Sequence, residues 1–290
     1  SGDTGDSAVV SNLVIQNPSI TVKLAAQVAV GALAGEVNGN TVIDNIAVTG
    51  GYVKATAGSG QGDLVGVGGL IGEIRTNESG YANRNSDITI QNIFTSASVY
   101  GENPAFVDIN YAGGVIGRIR HGDCKILNNI FNMGGTAFYE ASGFGIAGGD
   151  STAAAVTNVY FLNGSNTGTA YTGVSYQNLR ENALTLGEQW VSEAGSFPYL
   201  TIITASEAFS GEAYLVPEKL SFQEAYAAPG ASVTVIGGTA GSTYTFTIRH
   251  TISGITETVT NTTGVFQLED SDVESMVTVS AAGQETASIY

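Results

Sequence analysis

Along the first two-thirds of the chain, short apolar runs keep a fixed internal pattern, while the polar stretches between them vary in length. Val42 to Val48 and Ile88 to Val99 alternate β-branched residues with polar ones, the period of strands that bury one face. Two recurring elements organise these runs. One reads Gly, small, aliphatic, aliphatic or Ala, Gly, with an aliphatic two residues on. It occurs as Gly31-Ala32-Leu33-Ala34-Gly35, Gly68-Gly69-Leu70-Ile71-Gly72 and Gly113-Gly114-Val115-Ile116-Gly117, and in degenerate form as Phe144-Gly145-Ile146-Ala147-Gly148. The other reads aliphatic, any, Asn, aliphatic: Ile43-Asp44-Asn45-Ile46, Ile90-Gln91-Asn92-Ile93, Leu127-Asn128-Asn129-Ile130 and Val156-Thr157-Asn158-Val159, preceded by an isolated Val10-Ser11-Asn12-Leu13.

The elements alternate strictly. From Asn12 through Asn45, Asn92 and Asn129 to Asn158 the steps are 33, 47, 37 and 29 residues, and the longest contains the polar insert Asn77–Ser86. Fixed spacing inside elements and free spacing between them is the pattern of a β-solenoid, where strands stack in register and corner loops accept insertions. The chain is therefore expected to be all-β: a solenoid of about four to five coils over residues 1–205, then a smaller β-domain over 206–290. Recurring glycine weakens a strand unless backbones approach closely, so Gly31, Gly35, Gly68, Gly72, Gly113, Gly117, Gly145 and Gly148 imply a tight corner or a thin core. Asparagine at one site per coil suits a ladder of stacked side-chain amides. The alternative is a bend that merely needs a left-handed residue. Stacking also pairs the residues that follow the last glycine: Glu73 should meet Arg118, and Glu36 should repel Glu73.

Gly-Gly-Leu-Ile-Gly followed by Ile-x-Asn-Ile resembles the GLUG repeat of bacterial surface proteins, which include non-catalytic regions of IgA-specific metallopeptidases and adhesin-like proteins. Leu179 to Leu200, with Trp190 and Phe197-Pro198-Tyr199-Leu200, is similar to the segment that often closes such a repeat array. The resemblance covers roughly Val9 to Ile203. Ala32 and Phe144 depart from its glycines, and the frequent Cys after Asn is missing. It implies a surface location and a structural or adhesive role, with no catalytic residue.

Beyond Ala205 the composition shifts. A Glu-rich junction with Pro217 leads to short alternating runs between turn signals such as Pro229-Gly230, Gly237-Gly238 and Thr263-Gly264. Tyr244 to Ile248 alternates cleanly, and the spacing suggests a seven-stranded immunoglobulin-like sandwich. Pro229 to Val235 is similar to the opening of bacterial immunoglobulin-like modules.

Composition narrows the function classes. Gly accounts for 39 of 290 residues, 43% are hydrophobic and only 12% are charged, as many short strands and turns require. The net charge of −16, with 10 basic residues scattered, disfavours nucleic acid and anionic membranes. No run approaches the ~20 apolar residues of a membrane span. A single cysteine allows no disulfide within the chain.

Candidate chemistry is sparse. Gly143-Phe144-Gly145-Ile146-Ala147-Gly148 matches a dinucleotide fingerprint but coincides with a repeat element, not with a strand-to-helix turn. His121, Asp123 and Cys124 adjoin, without a third partner for thiol catalysis. Gly58 to Asp63 resembles half of a calcium nonapeptide, which needs tandem copies. Asp270, Asp272 and Glu274 are the candidate Ca²⁺ ligands, against the alternative of a solvated turn. No coil presents the carboxylate pair of a polysaccharide-acting enzyme. The expected role is non-catalytic: an extracellular or bacterial cell-surface protein that binds a protein or carbohydrate on a host or neighbouring cell. The loops Thr49–Val65, Asn77–Ser86, Tyr100–Tyr111 and Asn163–Gln177, with Tyr52, Tyr81 and Tyr171, are the candidate binding surface. The alternatives are a subunit of an extracellular filament or matrix, self-assembled through open solenoid edges, and a glycan-degrading enzyme.

Overall fold

In the computed structural model the chain divides into two compact units, Ser1–Leu215 and Val216–Tyr290. The residues described are 8–24, 28–57, 65–75, 87–102, 110–120, 124–134, 136–138, 141–142, 144–149, 153, 155–162, 171–205, 209–216, 220–222, 232–236, 242–250, 253, 255–269, 275–282 and 287–289. The break falls later than the compositional shift after Ala205, because Phe209 and Tyr214 belong with the first unit. Their rings lie 5.3 and 4.7 Å from that of Tyr199.

The first unit is β-structure built on parallel sheets. One sheet holds Ala8–Gln16, Thr41–Thr49, Ile88–Thr95, Cys124–Asn132, Ala155–Leu162 and Thr172–Val174, side by side in that order. A second holds Ser19–Leu24, Tyr52–Ala57, Ser98–Glu102 and Thr136–Phe138, with Ala141–Ser142 added antiparallel. A third holds Val28–Val30, Val65–Gly68 and Asn110–Gly113. A fourth holds Ala34–Val37, Ile71–Ile74, Ile116–Ile119 and Ala147–Gly149. For three rounds the chain visits the four sheets in the same order and returns one strand further along, so each round stacks on the one before; the fourth round adds strands to the first, second and fourth sheets among the described residues.

The first of these, the asparagine sheet, shows why its motif has the form it has. Asn12, Asn45, Asn92, Asn129 and Asn158 all adopt left-handed backbone, with φ of 58, 54, 53, 52 and 53°. A left-handed residue interrupts the period of two, so the aliphatics two before and one after it both turn inward. Ile43 with Ile46, Ile90 with Ile93 and Leu127 with Ile130 accordingly share the main core. One residue further on, Ala47, Phe94, Phe131 and Tyr160 form an outward row in register.

Much of that row is covered from outside. After Thr172–Val174 a short helix, Tyr176–Glu181, starts at Ser175, whose hydroxyl accepts from Asn178 N–H. Trp190–Val191 then pairs antiparallel with Tyr199–Leu200, which lies against Thr41–Thr49 and Ile88–Thr95. The Tyr214 ring ends 5.8 Å from Phe94. Ala47, Phe94 and Phe131 are therefore fully buried although they face away from the inner core.

The glycine elements sit between the third and fourth sheets. None of the eight repeat glycines has positive φ, so they serve by lacking a Cβ. A Cβ on Gly35 would lie 2.6 Å from the Ala29 carbonyl oxygen, and one on Gly117 would lie 2.7 Å from the Gly66 carbonyl carbon. Backbone meets backbone here, closer than the ~10 Å of ordinary sheet packing.

The second unit is antiparallel. Ser221–Phe222, Ser232–Ile236 and Val265–Gln267 form one sheet; Thr256–Asn261, Tyr244–His250, Ser275–Ala281 and Ala287–Ile289 form another. Val233 of the first and Phe246, Ile248, Val277 and Val279 of the second share one core.

Candidate functional site

The most regular constellation is the amide stack. Asn158 Nδ2 donates to Asn129 Oδ1 at 3.0 Å, Asn129 Nδ2 to Asn92 Oδ1 at 3.2 Å, and Asn45 Nδ2 to Asn12 Oδ1 at 2.8 Å. Every bond runs from a later round to an earlier one. Ladder and left-handed bend, alternatives at the level of sequence, coexist in the same residues. Between the second and third rounds the stack slips: Asn92 Nδ2 donates to Asp44 Oδ1 at 2.8 Å. A carboxylate is the stronger acceptor, and it leaves Asn45 Oδ1 buried without a hydrogen-bond partner. Gly187 closes over the stack, where a Cβ would lie 2.6 Å from Asn129 Nδ2.

A second buried amide has no counterpart in the motif. Asn132 accepts from Thr95 Oγ1 at 2.7 Å and donates to the Gly145 carbonyl at 2.8 Å. It ties the asparagine sheet to the glycine corner, and only the absence of a side chain at Gly114 makes room for its amide. The signal in the sequence is a position that is aliphatic in the first two rounds, at Ile15 and Val48, and turns polar in the next two, at Thr95 and Asn132.

On the fourth sheet Glu36 lies beside Glu73, and Glu73 beside Arg118. Glu73 Oε1 is 3.8 Å from Arg118 and 3.6 Å from Arg120, and the Arg118 guanidinium lies 4.8 Å over the Tyr111 ring. Burial pushes the Glu73 carboxyl above its ordinary value despite the three arginines, Arg118, Arg120 and Arg75, that oppose the shift. This cluster reads as structural, since its charges face one another.

Cys124 opens its strand as a buried thiol against the Ile88 and Ile126 carbonyls, and burial pushes it up to about 12. A thiol so placed is neither ionised nor nucleophilic. Tyr171, expected on an exposed loop, packs against the main core instead, and burial raises its phenol to about 12. The cause is its position just before Thr172–Val174, which draws it onto the stack. Tyr52 begins a strand and does not sit in a loop, yet it is 45% exposed. Its outward row runs Ser19, Tyr52, Ser98, beside Thr21, Lys54, Tyr100. Ser19 Oγ donates to Tyr52 Oη at 2.9 Å, and such bonds lower the phenol's pKa. Lys54 Nζ lies 4.8 Å over the Tyr100 ring.

Tyr81, His121, Asp123 and the candidate calcium ligands Asp270, Asp272 and Glu274 lie outside the described residues, as does Asn77–Ser86. Among the described residues no group of three or more His, Cys, Asp or Glu converges as a metal site, and no helix is long and apolar enough to cross a membrane. Comparison of the chain with protein-family models, with curated proteins and with solved structures gives no match.

Proposed function

We propose that this is a non-catalytic repeat protein of the bacterial cell surface, a GLUG-type β-solenoid joined to an immunoglobulin-like module, that binds an extracellular ligand along its outer face. The observation that carries the reading is how the polar side chains are employed. Asn45, Asn92, Asn129 and Asn132 bond one round to another, Glu73 faces two arginines, and Cys124 is sealed. These groups are spent on holding the stack together, which suits a scaffold. Among the described residues the row around Tyr52 faces outward, a strand surface with aromatic, hydroxyl and lysine side chains, the kind that contacts sugar rings or protein surfaces.

The test is a screen of the intact protein against arrays of glycans and extracellular host proteins, with Tyr52→Ala alongside. The reading expects a ligand that the Tyr52→Ala protein binds at least tenfold more weakly, with unchanged thermal unfolding. No binding on either array would overturn it.

A further inference from the structure

The two ends of the amide stack are chemically complementary. At the first round, Ala8–Gln16 is the outermost strand of its sheet among the described residues. Asn12 already has the left-handed φ of the later rounds, and its Oδ1 accepts from Asn45. Among the described residues its Nδ2 reaches only the neighbouring Ser11 Oγ, at 3.4 Å. This is the donor end. Val9 and Leu13 beside it are 65% and 38% exposed. At the far end Asn158 donates to Asn129, and among the described residues no donor meets its Oδ1. This is the acceptor end.

Thr172–Val174 pairs parallel with Tyr160, Phe161 and Leu162 only, so Ala155 to Val159 has no neighbour on that side among the described residues. Continuing the observed registers by one more strand would set Val10, Ser11, Asn12 and Leu13 of a second molecule against Val156, Thr157, Asn158 and Val159. Val14 to Gln16 of that molecule would then fall on the places that Thr172, Gly173 and Val174 occupy.

We infer that the Ala155–Leu162 edge is a head-to-tail docking site for the Ala8–Gln16 strand of a second copy of this chain, and that Thr172–Val174 is a plug that holds the site half closed. The occupant is set by continuity: the new contact would repeat the strand pairing, the inward aliphatics and the amide bond already made between successive rounds. With the plug in place only half of the edge is free and the protein stays monomeric. With the plug displaced, the contact is heterologous and propagates as a chain. The inference rests on the solenoid reading but not on ligand binding.

Two independent arms test it. Val174→Asp and Gly173→Pro each weaken the plug, one by placing a charge at a buried position, the other by removing a strand N–H. Light scattering during gel filtration should show wild type as monomer and either variant as a series of multiples of the chain mass. Adding Asn12→Asp, which keeps the acceptor for Asn45 and removes the donor, should return the variants to monomer. Folded plug variants that stay monomeric, or that assemble equally with Asn12→Asp, would overturn the inference.

The second arm keeps the plug and alters exposed positions only. Proteins carrying S11C and T157C are mixed and oxidised at high concentration, where transient opening allows trapping. The register predicts an S11C–T157C heterodimer at least tenfold above that of S11C with S98C, on another sheet. Equal yields would refute the docking register whatever the plug variants do. Neither outcome bears on the array screen.

Discussion

The asparagine sheet and the glycine corner belong to the same repeat but keep rounds in register by opposite means. In the asparagine sheet side chains do the work: aliphatics fill the core and amides bond round to round. In the glycine corner the absence of side chains does it, and backbone packs on backbone. A side-chain contact can be exchanged or can slip, as it does where Asp44 captures Asn92. A backbone contact has nothing to yield. The two regions should therefore tolerate substitution very differently.

The largest effect is expected at the corner. A Cβ on Gly72 would overlap the Val30 backbone and lie 2.5 Å from the Gly35 carbonyl oxygen. Gly72→Ala should cost more than ~3 kcal/mol, seen as loss of cooperative unfolding or of soluble protein. A stability within ~1 kcal/mol of wild type would mean that the sheets can part, and the contrast would fall.

Next comes Asn129, which both donates to Asn92 and accepts from Asn158. Asn129→Ala loses both bonds and sets alanine in a left-handed backbone, for a total of ~3 kcal/mol. Asn129→Gly loses the bonds without that strain and should cost ~2 kcal/mol. Urea denaturation of the pair separates amide from backbone. Equal losses would show that the ladder alone carries the position.

A smaller effect is expected at Asp44. Ser11 holds the equivalent place in the first round, so Asp44→Ser should let Asn92 return to Asn45 Oδ1. Stability should stay within ~1 kcal/mol of wild type, because one charged acceptor is exchanged for one neutral acceptor. Side-chain amide resonances of Asn92 should shift while those of Asn158 do not. A Asn92 resonance that stays put would mean that the slip is fixed by backbone, not by charge.

The smallest effect is a pH dependence. Glu73 titrates above its ordinary value of 4.5 in the folded chain, so the folded state holds this proton more tightly than the unfolded state. The associated stability is fully present below 4.5 and is lost as pH rises through the folded value. Glu73→Gln resembles the protonated form and should lack that component. The difference in unfolding free energy between the two proteins should therefore change between pH 7 and pH 4.5 in favour of wild type. A constant difference across that range would show that the three arginines cancel the effect of burial.

What could be read in the sequence is what the backbone enforces. Asparagine at Asn12, Asn45, Asn92, Asn129 and Asn158 tolerates φ near 53°, and glycine at the corners is the residue without a Cβ; each constraint repeats with every round and so leaves a pattern. The pairing of Glu73 with Arg118 follows from the same register. Contacts made once leave no period to find. The burial of Tyr171, the bridge from Asn132 to Gly145 and the covering of Phe94 by Tyr214 each join segments by a contact that no other round repeats. Nothing in the pattern around Phe94 and Phe131 marks their cover, because it lies far along the chain.

That cover has a consequence for how the protein is made. Rounds that contact only their neighbours can fold in turn, each on the one before. The outer side of Phe94 stays bare until Tyr214 has been synthesised and the returning segment has wrapped back. During that interval the growing chain carries an unshielded aromatic row beside strand edges, the combination that invites aggregation and recruits chaperones. Translation pauses before Tyr214, and truncations that remove it, should therefore harm yield far more than their distance from the core suggests.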